Sequence, residues 1–269
     1  MARGWHEGDS GRREACGLGP IRELSLEDRY TRSVAELTIA TLNLRGVHDS
    51  WLRREPLVIA GLAKLQPDVL CLQEAATWCL QAHWVAWRLS RRTGRKYRVS
   101  FAPKRGYRGL FEGVAILSAL PAGRHRTLAL GGSGRVAQRV VAKADGRPVV
   151  VVNAHLEHRS RSAALRGSQV ESILGWLKDS THPAVVAGDF NDVPDSPALA
   201  ALSPGFRSVF SGLDVQLVGT SPAREPHRII DYIMAVEGVE VMDAGKFLDE
   251  PQNGRWPSDH IGLWAKIRI

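Results

Sequence analysis

The stretch Ala184-Val185-Val186-Ala187-Gly188-Asp189-Phe190-Asn191-Asp192 changes character half-way. Four small or β-branched residues read as a buried strand. A glycine then breaks the run, and Asp-Phe-Asn-Asp sets carboxylates and an amide at its end. Open α/β sheets carry their chemistry on that lip. Alone, the motif equally fits a turn in which Asp189 and Asn191 only cap the backbone, so its meaning depends on how the other strands end.

Upstream, Leu37 to Leu44 is a β-rich run that contains Asn43 and leads into Arg45-Gly46. A helical pattern from Trp51 to Leu65 stops at Pro67, and Asp68 to Glu74 reads as a second buried strand ending in a carboxylate. Thr77 to Arg92 reads as a helix whose Trp78, Trp84 and Trp87 are expected in the core. Glu112 to Ser118 is a further strand. Gly131-Gly132-Ser133-Gly134 is a turn, lacking the ending of a P-loop, and Arg135 excludes a nucleophile elbow. Val136 to Ala144 and Arg147 to Val152 form a hairpin around Asp145-Gly146, running out into Asn153-Ala154-His155-Leu156. After an amphipathic helix from Arg161 to Lys178 and the opening stretch, strands resume at Arg228 to Met234, Val239 to Met242 and His260 to Ile269. Strands alternating first with helices and later with hairpins indicate an α/β fold of two packed sheets flanked by helices.

Six strand ends thus carry polar residues: Asn43, Glu74, Asn153 with His155, Asp189 with Asn191, Asp231, and Asp259 with His260. Capping accounts for any one of them better than for all six. Carboxylates and amides without cysteine are hard oxygen ligands, suited to Mg²⁺ or Mn²⁺ rather than structural zinc. His155 and His158 do not form a zinc pair, since residues three apart on a strand face opposite ways.

With 269 residues and 44% hydrophobic content the chain can bury a full core, and no linker interrupts residues 36–269. Residues 1–35 hold six basic and six acidic residues and few aliphatics, which reads as a flexible N-terminal arm with at most a short helix near Ile21 to Asp28. Cys16, Cys71 and Cys79 are an odd set without CxxC, which predicts reduced thiols and a cytoplasmic address. Neither an export signal nor a membrane-spanning run is evident, and a monomer is expected. The net charge of +8 favours polyanionic partners. Nine basic residues from Arg88 to Arg108, interleaved with Tyr97, Phe101 and Tyr107, fit a phosphate-gripping, base-stacking surface. They fit as well a solvated helix face beside a charge-protected edge strand.

The ordered set TLNLRG with Asn43, LQE with Glu74, NAHL at 153–156, GDFND at 188–192, RIIDYI at 228–233 and SDH at 258–260 resembles the endonuclease/exonuclease/phosphatase superfamily over residues 36–269. That resemblance implies a four-layer α/β sandwich of two mainly antiparallel sheets, and metal-dependent hydrolysis of phosphoesters. Carried onto this chain, it implies Glu74 as principal metal ligand with Asn43 and Asp259 beside it. Asp189 and Asn191 would hold the attacking water and a phosphate oxygen, and His260, oriented by Asp231, would contact the scissile phosphate and act as base or transition-state stabiliser. His155 is similar to the histidine of the deoxyribonuclease, sphingomyelinase and 5-phosphatase branches, where AP endonucleases have tyrosine. There it would act as general acid or phosphate ligand, with Glu112 expected to orient it. Asn153, Arg139 and Arg166, with Gln169, are further candidates to line a phosphate cleft. The expected activity is a phosphodiesterase acting on nucleic acid. The alternatives are a phosphatase or phospholipase-type hydrolase and, more remotely, an inactive RNA-binding relative.

Overall fold

Alternation along the strands decides the layering. In β1 (Glu36–Asn43), Leu37 and Ile39 join one buried cluster, whereas Ala40 and Leu42 join another on the opposite face. The same two-fold alternation recurs in β2 (Val69–Ala76), β7 (Arg147–His155), β8 (Ala184–Asp189) and β10 (Asp231–Val236). Their inward residues, among them Val69, Cys71, Val149, Val151, Val185, Ala187 and Ile233, form one core between two sheets. This computed structural model describes residues 34–159, 161–215 and 217–269.

The remaining strands are β3 (Arg98–Pro103), β4 (Glu112–Ser118), β5 (Arg126–Gly131), β6 (Arg135–Ala144), β9 (Phe206–Ser208), β11 (Glu240–Phe247) and β12 (Gly262–Arg268). Six strands in the order β11-β12-β1-β2-β4-β3 face six in the order β5-β6-β7-β8-β10-β9. Only β1 with β2 and β7 with β8 pair in parallel; the other neighbours are antiparallel. Helices α1 (Trp51–Leu65) and α2 (Gln81–Thr93) pack on the outer face of the first sheet. Helices α3 (Ala163–Leu177) and α4 (Pro197–Leu202) cover the second. The result is the four-layer sandwich expected from the sequence.

Three expectations need correction. Helix α2 starts at Gln81, not Thr77, so Trp78 sits on the preceding turn. Its inward stripe is Ala82, Val85, Ala86 and Leu89, which leaves Trp84 and Trp87 on the outer face; these tryptophans are not core. The basic passage is split: Arg98 pairs with Ser118 at one end of β4, and Pro103 with Gly113 at the other. Arg95 bonds Asp68 and the Gln66 carbonyl just before β2, some six residues and so about 20 Å from Glu74. Finally, β3 is the charge-protected edge strand that the sequence offered as one alternative, whereas β5, β9 and α4 were not read from it; α4 carries its own signal in Ser196, an N-cap accepting from the Leu199 amide, followed by Pro197. The expected arm lies outside the described residues apart from Val34 and Ala35, and Ala35 pairs with Ile269 by backbone hydrogen bonds of 3.2 and 3.0 Å. Cys71 and Cys79 are free thiols, whereas Cys16 lies outside the described residues. No helix among the described residues is long and apolar enough to cross a membrane.

Candidate active site

The inward rows turn polar at one end of the sandwich. On β1 the row Leu37, Ile39, Thr41 ends in Asn43; on β7 the row Val149, Val151, Asn153 ends in His155; on β8 Val185 and Ala187 lead to Asp189. Antiparallel β10 begins at that end with Asp231, which pairs in register with Asp189, as His155 does from the other side. Strand periodicity alone therefore gathers residues distant in sequence onto one lip.

Asp189 is the hub. Its Oδ2 accepts from Asn43 Nδ2 at 2.9 Å, and its Oδ1 accepts from the Asn191 amide at 2.9 Å. Asn191 holds the turn with φ 52° and donates from Nδ2 to the Leu156 carbonyl at 3.2 Å. His155 Nε2 lies 3.5 Å and His260 Nε2 3.9 Å from Asp189 Oδ2. His260 Nδ1 is 2.8 Å from Asp231 Oδ2, a buried pair in which the carboxylate fixes the ring. Ser258 fixes the backbone before it, donating to the Asn43 carbonyl at 2.6 Å and accepting from the His260 amide at 3.2 Å.

The buried environment drives the two histidines apart. Burial works against a charged His260, but the carboxylates of Asp231 and Asp189 outweigh it and raise its pKa to about 10. His155 has no such pair. Burial, with the charges of Arg135 and Lys104, pushes its pKa well below the ordinary range, and neither ring nitrogen has a hydrogen-bond partner among the described residues. Burial also raises Asp189 to about 7, opposed by the charge on His260. One cationic imidazole, one neutral imidazole and a carboxylate poised near neutrality thus share a few ångströms, the divergence expected where acid and base roles are divided.

Glu74 stands at a bulge. The register of β2 against β4 shifts between Leu72 and Ala75, and Glu74 has φ 52°, which turns its carboxylate out of the ladder. Its Oε1 is 3.9 Å from His155 Nε2, and it makes no hydrogen bond among the described residues. Asp259 is ion-paired with Arg45, whose Nε also reaches Asp49 at 2.6 Å. Among the described residues one group draws three acidic or imidazole ligand atoms within 4.8 Å: Asp189, Asp231 and His260. Of the residues expected around the metal, Asn43 thus bonds into this cluster through Asp189, while Glu74 and Asp259 stand outside it. The donor chemistry fits a hard divalent cation: among the described residues the Glu74 carboxylate is free of hydrogen bonds, and Asp231 Oδ1 is buried without a partner.

Five of the expected residues make their contacts elsewhere. Glu112 does not hold His155 but pairs with Lys104, a cation delivered by the neighbouring edge of the same sheet. Asn153 is fully buried and ties the two sheets together, donating to the Leu72 and Ala115 carbonyls at 2.9 and 2.8 Å and accepting from Gln73 at 2.7 Å. Arg139 donates to the Trp176 carbonyl at 2.8 Å and stacks on its ring at 4.8 Å, on the outer face of the second sheet. Arg166 bonds Asp192 at 2.7 Å and the carbonyls of Glu157 and Arg159, and Gln169 bonds the Glu157 amide, so both shape the loop behind the site.

A cavity of about 460 Å³ opens beside Glu74, and Lys104, Arg108, Arg135 and His158 line it. Arg135 is buried, reaches His158 Nδ1 at 3.0 Å, and leaves Nε and Nη1 without partners among the described residues. Sequence reasoning used Arg135 only to exclude a nucleophile elbow. Its place at the start of β6, which runs antiparallel to β7 and so begins at the site, is the signal that could have found it. On the other flank a cavity of about 330 Å³ is bounded by Asp259, Arg224, Arg255 and Trp256.

Comparison with known proteins bears on this site. Protein angel of Drosophila melanogaster is 29% identical over an alignment of 173 residues that covers 57% of this chain and 47% of that protein, so the match spans about half of the relative's length. A functionally unknown conserved protein from Enterococcus faecalis V583 shares the fold with a TM-score of 0.73 and 25% identity, covering 86% of this chain and 99% of its own. D. rerio TDP2, in its complex with a single-strand DNA product, superposes with a TM-score of 0.72 at 18% identity, over 87% and 99% of the two chains. The sequence model of the endonuclease/exonuclease/phosphatase family matches residues 40–260, from β1 to the His260 that closes the site. The acid and histidine cluster lies at the end of the sandwich beside the oxygen donor Glu74, a site consistent with metal-dependent hydrolysis, and the chain belongs to the endonuclease/exonuclease/phosphatase family.

Proposed function

We propose that the protein is a divalent-metal-dependent phosphodiesterase that cleaves nucleic acid by attack of water. The observation that carries this reading is the cavity beside Glu74, where Arg108 and the buried Arg135, two of whose nitrogens have no partner among the described residues, offer positive charge to a polyanion. The single-strand DNA product bound by D. rerio TDP2, a protein of the same fold, points the same way. Mg²⁺ or Mn²⁺, held by Glu74 with Asn43 and Asp259, would neutralise phosphate charge and acidify water.

The chain's own groups divide the remaining work. Asp189, with its pKa raised to about 7, is placed to take the proton of the attacking water, and Asn191 orients that carboxylate through its amide. His260, held cationic by Asp231 and Asp189, stabilises the negative charge that grows on the phosphoryl oxygens. His155 remains neutral in its buried pocket, so it serves the leaving oxygen as an N–H donor rather than as an imidazolium. Of the two roles that the resemblance implies for His155, this reading takes the phosphate contact rather than the general acid.

A substrate panel separates nucleic acid from the alternatives. With Mg²⁺ or Mn²⁺ present, single-stranded and duplex DNA, RNA, bis-p-nitrophenyl phosphate and inositol phosphates are compared at equal concentration. The expected result is turnover of oligonucleotides and of the simple diester, with inositol phosphates untouched. Preference for inositol phosphates would favour a phosphatase, and no turnover of any diester would remove the proposal.

A further inference from the structure

Large apolar side chains on a surface helix normally turn to the core. On α2 and the turn before it they do not: Trp78 is 68%, Trp84 43% and Trp87 49% exposed. Trp84 is nonetheless held in place. Its Nε1 donates to the buried Glu55 at 3.3 Å, its ring centre lies 5.1 Å from that of Trp87, and the Arg88 guanidinium sits 5.9 Å above it. Arg91 covers Trp87 in the same way at 5.4 Å. Fixed, exposed indoles interleaved with guanidinium groups are a surface prepared for a planar, electron-rich and anionic partner.

The position of this surface is equally specific. Trp78 and Val47 belong at once to the cavity containing Glu74, Lys104 and Arg135 and to a second, more apolar cavity of about 610 Å³. The second cavity is bounded further by Trp51, Leu52, Arg53 and Trp84, and no acidic residue lines it among the described residues. The two cavities therefore adjoin at Val47 and Trp78, which places the aromatic groove next to the cavity beside Glu74.

We propose that this groove is a base-stacking subsite, in which nucleobases of a single strand leaving the cleft lie against Trp78 and Trp84 while the backbone faces Arg53. The subsite rests on the nucleic-acid reading above and adds to it a preference for single strands. Stacking on protein rings needs exposed base faces, and in a duplex those faces are spent on neighbouring bases. The groove is concave and has rigid aromatic walls, whereas a bilayer receives protruding apolar tips, so the shape favours a strand that enters it.

The test compares wild type, Trp84→Ala and Trp84→Phe on a single-stranded oligonucleotide and on bis-p-nitrophenyl phosphate, a diester without bases, with Mg²⁺ or Mn²⁺ present. Trp84→Ala should lower kcat/KM on the oligonucleotide about tenfold, chiefly through KM, and Trp84→Phe should restore most of it. The simple diester should be turned over as by wild type, and Tm should fall by no more than about 5 °C in both variants, the cost of the lost Glu55 hydrogen bond. An unaltered oligonucleotide rate in Trp84→Ala, an equal fall on both substrates, or no rescue by phenylalanine would overturn the subsite. So would intact oligonucleotide cleavage together with lost binding to phosphatidylserine vesicles, which would mark a membrane-docking face. If wild type hydrolyses the simple diester but no oligonucleotide, the nucleic-acid reading itself fails and takes the subsite with it.

Discussion

Asp189→Asn is expected to reduce diester turnover by about 10³-fold while moving Tm by no more than about 4 °C. The carboxylate is buried and its pKa is raised to about 7, chiefly by desolvation, so folding removes from water a charge that water would hold more readily. Asparagine has the same shape and removes that cost. It can accept from either Asn43 or the Asn191 amide, but not from both, and losing one such bond costs about 1 kcal/mol, which the removed charge offsets. Chemistry has no such compensation. The amide cannot accept the proton of an attacking water, and His260 loses one of the two carboxylates that keep it cationic. Steady-state kinetics with calorimetry on the same sample checks both halves. Turnover above a tenth of wild type would show that Asp189 is not the base.

Gly188→Ala is expected to have the largest effect on stability, about 4 kcal/mol or more, with Tm lower by on the order of 10 °C. Gly188 has φ 140°, a region side chains rarely enter, and it pairs with Ala154 across the parallel β7–β8 ladder. A Cβ there would lie 1.9 Å from the Ala154 carbonyl oxygen, a backbone atom that cannot swing aside. The two strands must separate, one position before His155 and Asp189 face each other. Thermal unfolding of the variant measures this, and a Tm within about 2 °C of wild type would contradict the packing argument.

These two residues also mark what a single sequence can disclose. Strand alternation is a local rule, so Asn43, His155, Asp189 and Asp231 were legible as polar ends of otherwise aliphatic rows, and the two-sheet sandwich followed. Partner choice is a tertiary matter. No spacing shows that Glu112 meets Lys104 rather than His155, because that depends on which edge strand lies beside β4. Asn153 looked like a site residue because it shares the inward row with His155, yet one step down the strand it is sealed between the sheets. The tryptophans misled in the opposite sense. Hydrophobicity predicts burial, but Ala82, Val85, Ala86 and Leu89 already fill the inner stripe of α2, and the indoles are left outside. The basic passage was visible as composition, but only the register of β3 divides it into Arg95 and Arg98 far from the site and Lys104 and Arg108 beside it.

The central claim, metal-dependent phosphodiester hydrolysis at this cleft, is tested most directly through Glu74, whose carboxylate is partly exposed and makes no hydrogen bond among the described residues. Hydrolysis of bis-p-nitrophenyl phosphate is measured for wild type and Glu74→Gln, first after EDTA treatment and then after Mg²⁺ or Mn²⁺ is restored. Wild type should be silent after EDTA and recover with the metal, while Glu74→Gln stays at least about 10²-fold slower with an unchanged Tm. Hydrolysis that survives EDTA, or a Glu74→Gln variant that recovers the full rate, would contradict the account.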